Sequence, residues 1–279
     1  MSKELMSANV VLASTNSKGK KIVTLHAHYP RFIHAEIMTH RVFSRNARSS
    51  RAVPVSKMIE EVKTTPVVPW HWGLNQSGMQ AKMECMNSVV LYEEVPVDRK
   101  FAWNYAARKA VSVAEAFAAA GYHKQIVNRI LEPFMWIDTL ITATDWDNFF
   151  ELRCHEDAEP HLQDLANLMK RQIENTEHQE LKDGEWHLPY IKPEEKDEWN
   201  TETLLKLSAA RCARISYSPF NGESNIEKEM ERYDRLINSH PMHASPIEHQ
   251  AKATSECKRY ANFSGGWIQY RTIVEGETR

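Results

Sequence analysis

Residues 98–121 leave this chain little conformational freedom. Asp98 offers a side-chain acceptor at an N-cap position, alanines fill the interval that follows, and Gly121 stands where a helix would stop. A capping carboxylate, an alanine-rich body and a terminal glycine are the local conditions for a stable helix. Helices are also expected over 124 to about 131, ending before Pro133, and over 162 to about 173, beyond a joint at Pro160. Residues 204–213 and 226–237 read the same way, and the apolar spacing of Phe32, Ile33, Ile37 and Met38 is compatible with a helix over 32–45. Residues 142–147 suggest a turn and N-cap that lead into a helix carrying Phe149, Phe150 and Leu152. Against these stands a short β-branched run, Lys-Ile-Val-Thr-Leu at 21–25, bounded by Ser-Lys-Gly, which reads as a strand. Helix and strand must therefore share one core.

The chain's 279 residues are enough to bury a substantial core, as one large domain or two small ones. No apolar run approaches the roughly 20 residues of a membrane span, and the opening Met-Ser-Lys-Glu-Leu lacks a signal peptide's apolar centre. No membrane association is expected. Cys85, Cys154, Cys212 and Cys257 are widely separated, with no Cys-x-x-Cys pair, so a reducing, cytoplasmic setting is the default. His26-x-His28 has no carboxylate or cysteine set nearby in sequence, and no metal site is expected. Between 174 and 201 the chain turns strongly charged, with Lys-Pro-Glu-Glu-Lys-Asp-Glu at 192–198, and this is the best candidate for a linker. Residues 69–78, rich in Trp, Gly and Asn, read either as a pinned loop or as a substrate-facing lid.

The segment Thr39 to Arg51 carries the most chemistry. Arg41, Arg45, Arg48 and Arg51 are interleaved there with Ser44, Asn46, Ser49 and Ser50. Guanidinium forks bind phosphate oxygens bidentately and stay charged, so the segment reads as an anion site. Net charge is only −2, which makes the cluster local and argues against a dedicated nucleic-acid binder. A phosphorylated small ligand is expected; a solvated basic surface is the plain alternative.

These residues carry a resemblance to the flavin-dependent thymidylate synthases, whose signature is Arg-His-Arg, seven residues, then Ser. Here His40 and Arg41 precede seven residues and Ser49, and Ser44, Asn46 and Arg51 also match. Residues 121–133 resemble the family's Gly-x-x-x-Glu-x-Ala-Arg-x-x-Leu-Pro. Counting from Pro133 places the substrate arginine at Arg129; counting from Gly121 places that position at Asn128, and a cation suits the role better. Asn148-Phe-Phe-Glu-Leu-Arg153 resembles Asn-Phe-Leu-x-Leu-Arg. Ala-Ala-Arg-Cys-Ala-Arg-Ile-Ser-Tyr at 209–217 and His-Ala-Ser-Pro-Ile-Glu-His at 243–249 resemble segments that normally open the family's sequence, yet here they close it. The simplest account is a circular permutation within one catalytic domain spanning 1–279. Residues 1–173 would carry the signature and helical part, 174–201 the join, and 202–279 the usual N-terminus. A strand that His249 begins would be continued by residues 21–25.

The resemblance implies an α+β fold, a mixed or antiparallel sheet with flanking helices, and a homotetramer with FAD at subunit interfaces. It implies reductive methylation of dUMP to dTMP, with methylenetetrahydrofolate and NADPH as co-substrates. Arg153 would be the catalytic group, polarising the pyrimidine. Glu36, Thr39, Ser49, Ser50, Arg51, Arg129 and Arg153 would bind the nucleotide; His40, Arg41, Val42, Asn148, Ser216, Ser245 and Glu248 would line the flavin. Three positions depart from the family pattern: Thr39 replaces its first arginine, Ala47 its glutamate and Glu36 its glutamine. A carboxylate in place of an amide removes a donor and adds charge, so a pyrimidine hydroxymethylase, or a synthase acting on another deoxynucleotide, is the alternative. A non-enzymatic nucleic-acid binder would need the arginine segment alone. Cys154 resembles the nucleophile of flavin-independent synthases only superficially, since the proline that precedes such a cysteine is absent.

Overall fold

The computed structural model describes residues 2–91, 95–223 and 225–277. A single turn, α1 (Ser2–Leu5), leads into a hairpin of β1 (Ser7–Asn16) and β2 (Lys21–Pro30). Next come α2 (His34–Ile37), β3 (Ser44–Ala47), α3 (Val55–Thr64) and a small ribbon of β4 (Val89–Val90) and β5 (Pro96–Val97). Then follow α4 (Arg99–Ala119), α5 (Lys124–Ile130), β6 (Trp136–Ala143), α6 (Asp147–Arg153) and α7 (Pro160–Glu174). The remainder holds β7 (Gln179–Leu181), β8 (Trp186–His187), α8 (Pro193–Glu198), α9 (Thr201–Ala213), α10 (Ile226–Ile237), β9 (Ala251–Ala253), β10 (Trp267–Gln269) and α11 (Tyr270–Glu277). The fold is α+β. Its main sheet is mixed, ordered β3-β6-β2-β1-β7, with β7 parallel to β1 and the other pairs antiparallel.

Strand alternation gives this sheet two faces with different chemistry. Leu25, Ala27 and Tyr29 of β2 point to one face, where Leu162, Leu165, Ala166 and Met169 of α7 cover them. Thr24, His26 and His28 point to the other. There Thr24 and Thr142 meet across the β2–β6 pair, 2.7 Å apart, and His187 and His249 close over them. Two further cores complete the molecule. Met58, Ile59 and Val62 of α3 pack on Ala107, Val111 and Ala114 of α4 and Val127 of α5. Leu204, Leu205 and Ala209 of α9 pack on Tyr233, Ile247 and Tyr270.

Several expectations hold closely. Asp98 caps α4 by accepting from the Lys100 and Phe101 amides, and Gly121 takes φ of 85° just past its end. Others are corrected. The expected helix over 32–45 shrinks to one 3-10 turn and α2, because Arg45 Nη1 takes the Ile37 and Met38 carbonyls at 3.2 and 2.8 Å and β3 then pairs with β6. The expected cap before α6 is absent: Thr142 lies in β6, and Trp146 at the N-cap makes no capping bond. The strand after His249 does not continue into β2; β9 joins β8 and β10 in a separate sheet, while β2 is flanked by β1 and β6.

The charged stretch 174–201 carries β7, β8 and α8 where a linker was expected. It is held by a fork: Arg211 Nη1 and Nη2 donate to the two Glu195 oxygens at 2.7 and 2.6 Å, and Nη1 also donates to the Tyr190 carbonyl. The Arg211 side chain is only 2% exposed. Removing one partner of a buried pair strands the other charge in a poorly solvated site. Glu195→Ala is therefore expected to destabilise the fold by about 3 kcal/mol in chemical denaturation. Adding Arg211→Met should recover much of that loss. A cost below about 1 kcal/mol for the single variant would mean that this fork does not hold the segment.

Candidate active site

The signature segment begins at a turn, runs through β3 and ends in a second turn, and the pleat sorts its central side chains. Ser44, Asn46 and Arg48 are buried, while Arg45 and Ala47 are half-buried. Buried Arg48 donates to Glu61 of α3 at 2.9 and 2.7 Å, and Arg45 serves the α2 carbonyls. Two of the four arginines are thus committed to the protein, and Arg41 and Arg51 are the exposed pair. The arginine run is not one cradle.

At the start of the segment, an aromatic cluster fixes the turn against α6. Phe149 lies edge-on to His40 at 4.8 Å and to Phe43 at 5.1 Å, and Phe43 packs on Trp146 at 4.7 Å. One turn further along α6, Arg153 reaches back: its Nε donates to His40 Nε2 at 3.0 Å and its Nη2 to Thr39 Oγ1 at 3.2 Å. Thr39 Oγ1 in turn donates a hydrogen bond to the Glu36 carbonyl at 2.6 Å. With Nε2 accepting, the His40 ring proton belongs on Nδ1. Burial, and then the Arg153 charge, bring His40 down from 6.5 to about 4, so the ring is neutral near pH 7. Two acceptors thereby aim the guanidinium and leave donors on its terminal nitrogens for a ligand. Thr39 has a structural reason here, because an arginine in its place would set a second cation against Arg153.

The C-terminal motif packs along β3. Gln269 Nε2 donates to Ser44 Oγ at 2.8 Å and to the Glu248 carbonyl at 2.9 Å, and Arg271 pairs with the Glu248 carboxylate. The Ser49 amide donates to the Ser216 carbonyl at 2.9 Å. Between them lies a cavity of about 190 Å³ lined by Asn46, Ser216, Tyr217, Arg232, Arg235, His243 and Ser245, among others. The structure thus brings Thr39, His40 and Arg153 together at one end of β3, and Ser49, Ser216 and Ser245 at the other, with Glu248 beside Ser44. Glu36 is half-buried on α2, and its Oε2 is enclosed without a hydrogen-bond partner. Arg41, Val42 and Asn148 are exposed near the turn and on the first turn of α6.

Arg129 stands apart. It is exposed, bonded to the Gln125 carbonyl and 3.9 Å from Glu132. Its neighbour Asn128 is fully buried and donates to the carbonyls of Ser50 and Val53 at 2.7 and 3.0 Å, so the alternative count is the one that meets the signature segment. Sequence reasoning did not single out Arg232, Arg235 or Gln269. The two arginines share a helix face at i, i+3, which is a readable signal; Gln269 has none. Cys154 is half-buried, and burial raises its thiol pKa, the opposite of what a nucleophilic thiolate needs. The carboxylate not seen near His26 and His28 comes across the sheet from Asp138, whose Oδ1 lies 2.9 and 3.0 Å from the two rings. Among the described residues, no group of three or more His, Cys, Asp or Glu is arranged to hold a metal ion. No described helix is long and apolar enough to cross a membrane.

No curated protein matches the chain. Solved structures that resemble it include two of the UMP/dUMP methylase PolB from Streptomyces cacaoi. The one bound with 5-Br dUMP is 13% identical, with 60% of this chain and 88% of that chain covered and a TM-score of 0.41. The one bound with 5-Br UMP is 16% identical, with coverage of 60% and 87% and a TM-score of 0.44. At that distance the likeness bears on neither ligand nor chemistry. A family model described as thymidylate synthase complementing protein matches residues 21–176, a span that holds the signature segment, Asn128 and the whole of α6. That match takes in more than half of the chain, and the protein belongs to this family, Thy1.

Proposed function

We propose that the protein is a flavin-dependent enzyme that methylates C5 of a pyrimidine nucleotide, with dUMP as substrate and dTMP as product. The observation that carries this reading is Arg153, held by neutral His40 and Thr39 at the start of the family's signature segment. Placed at the pyrimidine edge, its guanidinium would stabilise negative charge at O2 and N3, the polarisation of the ring that makes C5 nucleophilic toward a one-carbon unit. His40 keeps the fork oriented without competing as a cation, and Ser49, Ser50 and Arg51 would hold the nucleotide phosphate. The hydroxyls of Ser216 and Ser245 and the Asn46 amide, gathered on the cavity beside β3, are a donor-rich set that suits the carbonyls and phosphates of FAD. When bound, flavin would supply hydride equivalents renewed by NADPH, while methylenetetrahydrofolate supplies the carbon. Glu248, Asn148, Arg41 and Val42 would complete the flavin contacts, and Arg129 a more distant substrate contact. A homotetramer and a cytoplasmic setting accord with the family reading. We read the close packing of residues 245–248 on β3 as support for one circularly permuted catalytic domain.

A second reading rests on Glu36. A carboxylate oxygen enclosed without a donor is an acceptor in search of one, which favours a ligand with an N–H such as the cytosine amine, or a different product. One experiment separates these readings. The purified protein is expected to be yellow and to convert dUMP, with methylenetetrahydrofolate and NADPH, to a product with the mass of the 5-methyl nucleotide. A 5-hydroxymethyl mass, or turnover of dCMP alone, would replace the first reading with the second. A colourless protein that binds DNA with a steep salt dependence would remove both.

A further inference from the structure

The cavity beside β3 holds charge that neither the signature segment nor the family roles use. Arg232 and Arg235, one turn apart on α10, line it together with Ser216, Ser245, His243 and Asn46, and no carboxylate is among its lining residues. Behind them lies Glu229, only 2% exposed, whose carboxylate pairs with Arg232 and stands 3.6 Å from Arg214. Arg232 also rests over the Tyr217 ring, 5.8 Å from its centroid. A buried carboxylate and an aromatic face thus hold Arg232 in one orientation, while Arg235 is exposed on the next turn. One guanidinium fixed in advance, a second a turn away and serine hydroxyls lining the same cavity are a donor set that suits a phosphate ester.

We infer that Arg232 and Arg235 form the seat of a phosphate group of the bound ligand, with Glu229 as a positioning residue. This rests on the proposed function for the ligand's identity, while the anion site itself can be tested without it. The phosphate comes either from the flavin dinucleotide or from the pyrimidine nucleotide. In both cases a residue of the C-terminal segment completes a pocket whose other wall is the signature strand.

The test uses the full-length protein, Arg235→Ala and Arg235→Lys, with calorimetry for inorganic pyrophosphate and dUMP and flavin fluorescence for FAD. Because Arg235 is exposed, its removal leaves the core intact. Pyrophosphate is expected to bind the unaltered protein, about tenfold or more weaker to Arg235→Ala, and at an intermediate level to Arg235→Lys. If FAD weakens while riboflavin does not, the seat belongs to the dinucleotide. If dUMP weakens while deoxyuridine does not, it belongs to the nucleotide. Unchanged affinity of Arg235→Ala for all three phosphorylated probes overturns the assignment, as does failure of the unaltered protein to bind any of them. A protein that binds pyrophosphate through Arg235 yet forms no C5-alkylated product keeps this seat and loses the proposed reaction.

Discussion

Arg153→Ala is expected to lower turnover by about 10²–10³-fold, the loss that follows removal of one oriented donor from a developing oxyanion. Arg153→Lys should recover little of it. The bonds to His40 and Thr39 leave from two different guanidinium nitrogens in a fixed plane, and a single ammonium cannot reproduce that fork. The substitution also has a spectroscopic consequence. Burial and the Arg153 charge together hold His40 near 4, so removing the charge should raise its pKa part of the way back toward 6.5. Titration of the His40 ring by NMR reads that shift independently of any substrate. Turnover within a few-fold of wild type in Arg153→Ala would remove the guanidinium from the chemistry. An unmoved His40 would show that the 3.0 Å contact does not persist in solution.

How much of this was legible depends on whether the cause is local. Helix α4 could be read because its cap, body and stop are its own residues, and α10 because Asn225 accepts from the Lys228 amide at its start. The second half of β2 was hidden by His26 and His28, which look like surface residues until Asp138 is seen opposite them. β1 gave no signal of its own, since it carries Ser7, Asn9, Ser14 and Asn16 among its apolar residues and is held by β2 and β7 on its two sides. The signature segment was visible as a run of residue types. Its division into committed Arg45 and Arg48 and exposed Arg41 and Arg51 was not, because it follows from the pleat of β3 and from Glu61, a distant partner. The Arg153 contact spans 113 residues and the Ser44–Gln269 contact 225, separations at which no local pattern can point.

Acid should weaken this fold well before its carboxylates titrate. His187 and His249 are completely buried, and burial is the first cause that brings each from 6.5 to about 3. Both belong to one relay. Ser14 Oγ lies 2.7 Å from His187 Nδ1, Thr24 joins the other ring nitrogen at 2.9 Å, and Thr142 carries the chain to His249 Nδ1 at 2.8 Å. This relay fastens β1, β2 and β6 to the C-terminal segment that brings Ser245 and Glu248 to the site. The sign follows from proton counting. Below about pH 6.5 the unfolded chain binds a proton at each histidine and the native state does not, so stability falls as pH falls and is regained above that value. The limiting slope is about 1.4 kcal/mol per pH unit for each ring, or about 3 kcal/mol per pH unit for the pair between roughly pH 6 and 4. His34 and His40, both lowered to about 4, act in the same direction. Denaturant midpoints at several pH values read the slope, and His249→Asn, which keeps a polar group toward Thr142 without a titrating proton, should flatten it. Stability that stays level from pH 7 to 5 would mean that protons reach these rings in the native state, and that the relay is open to water.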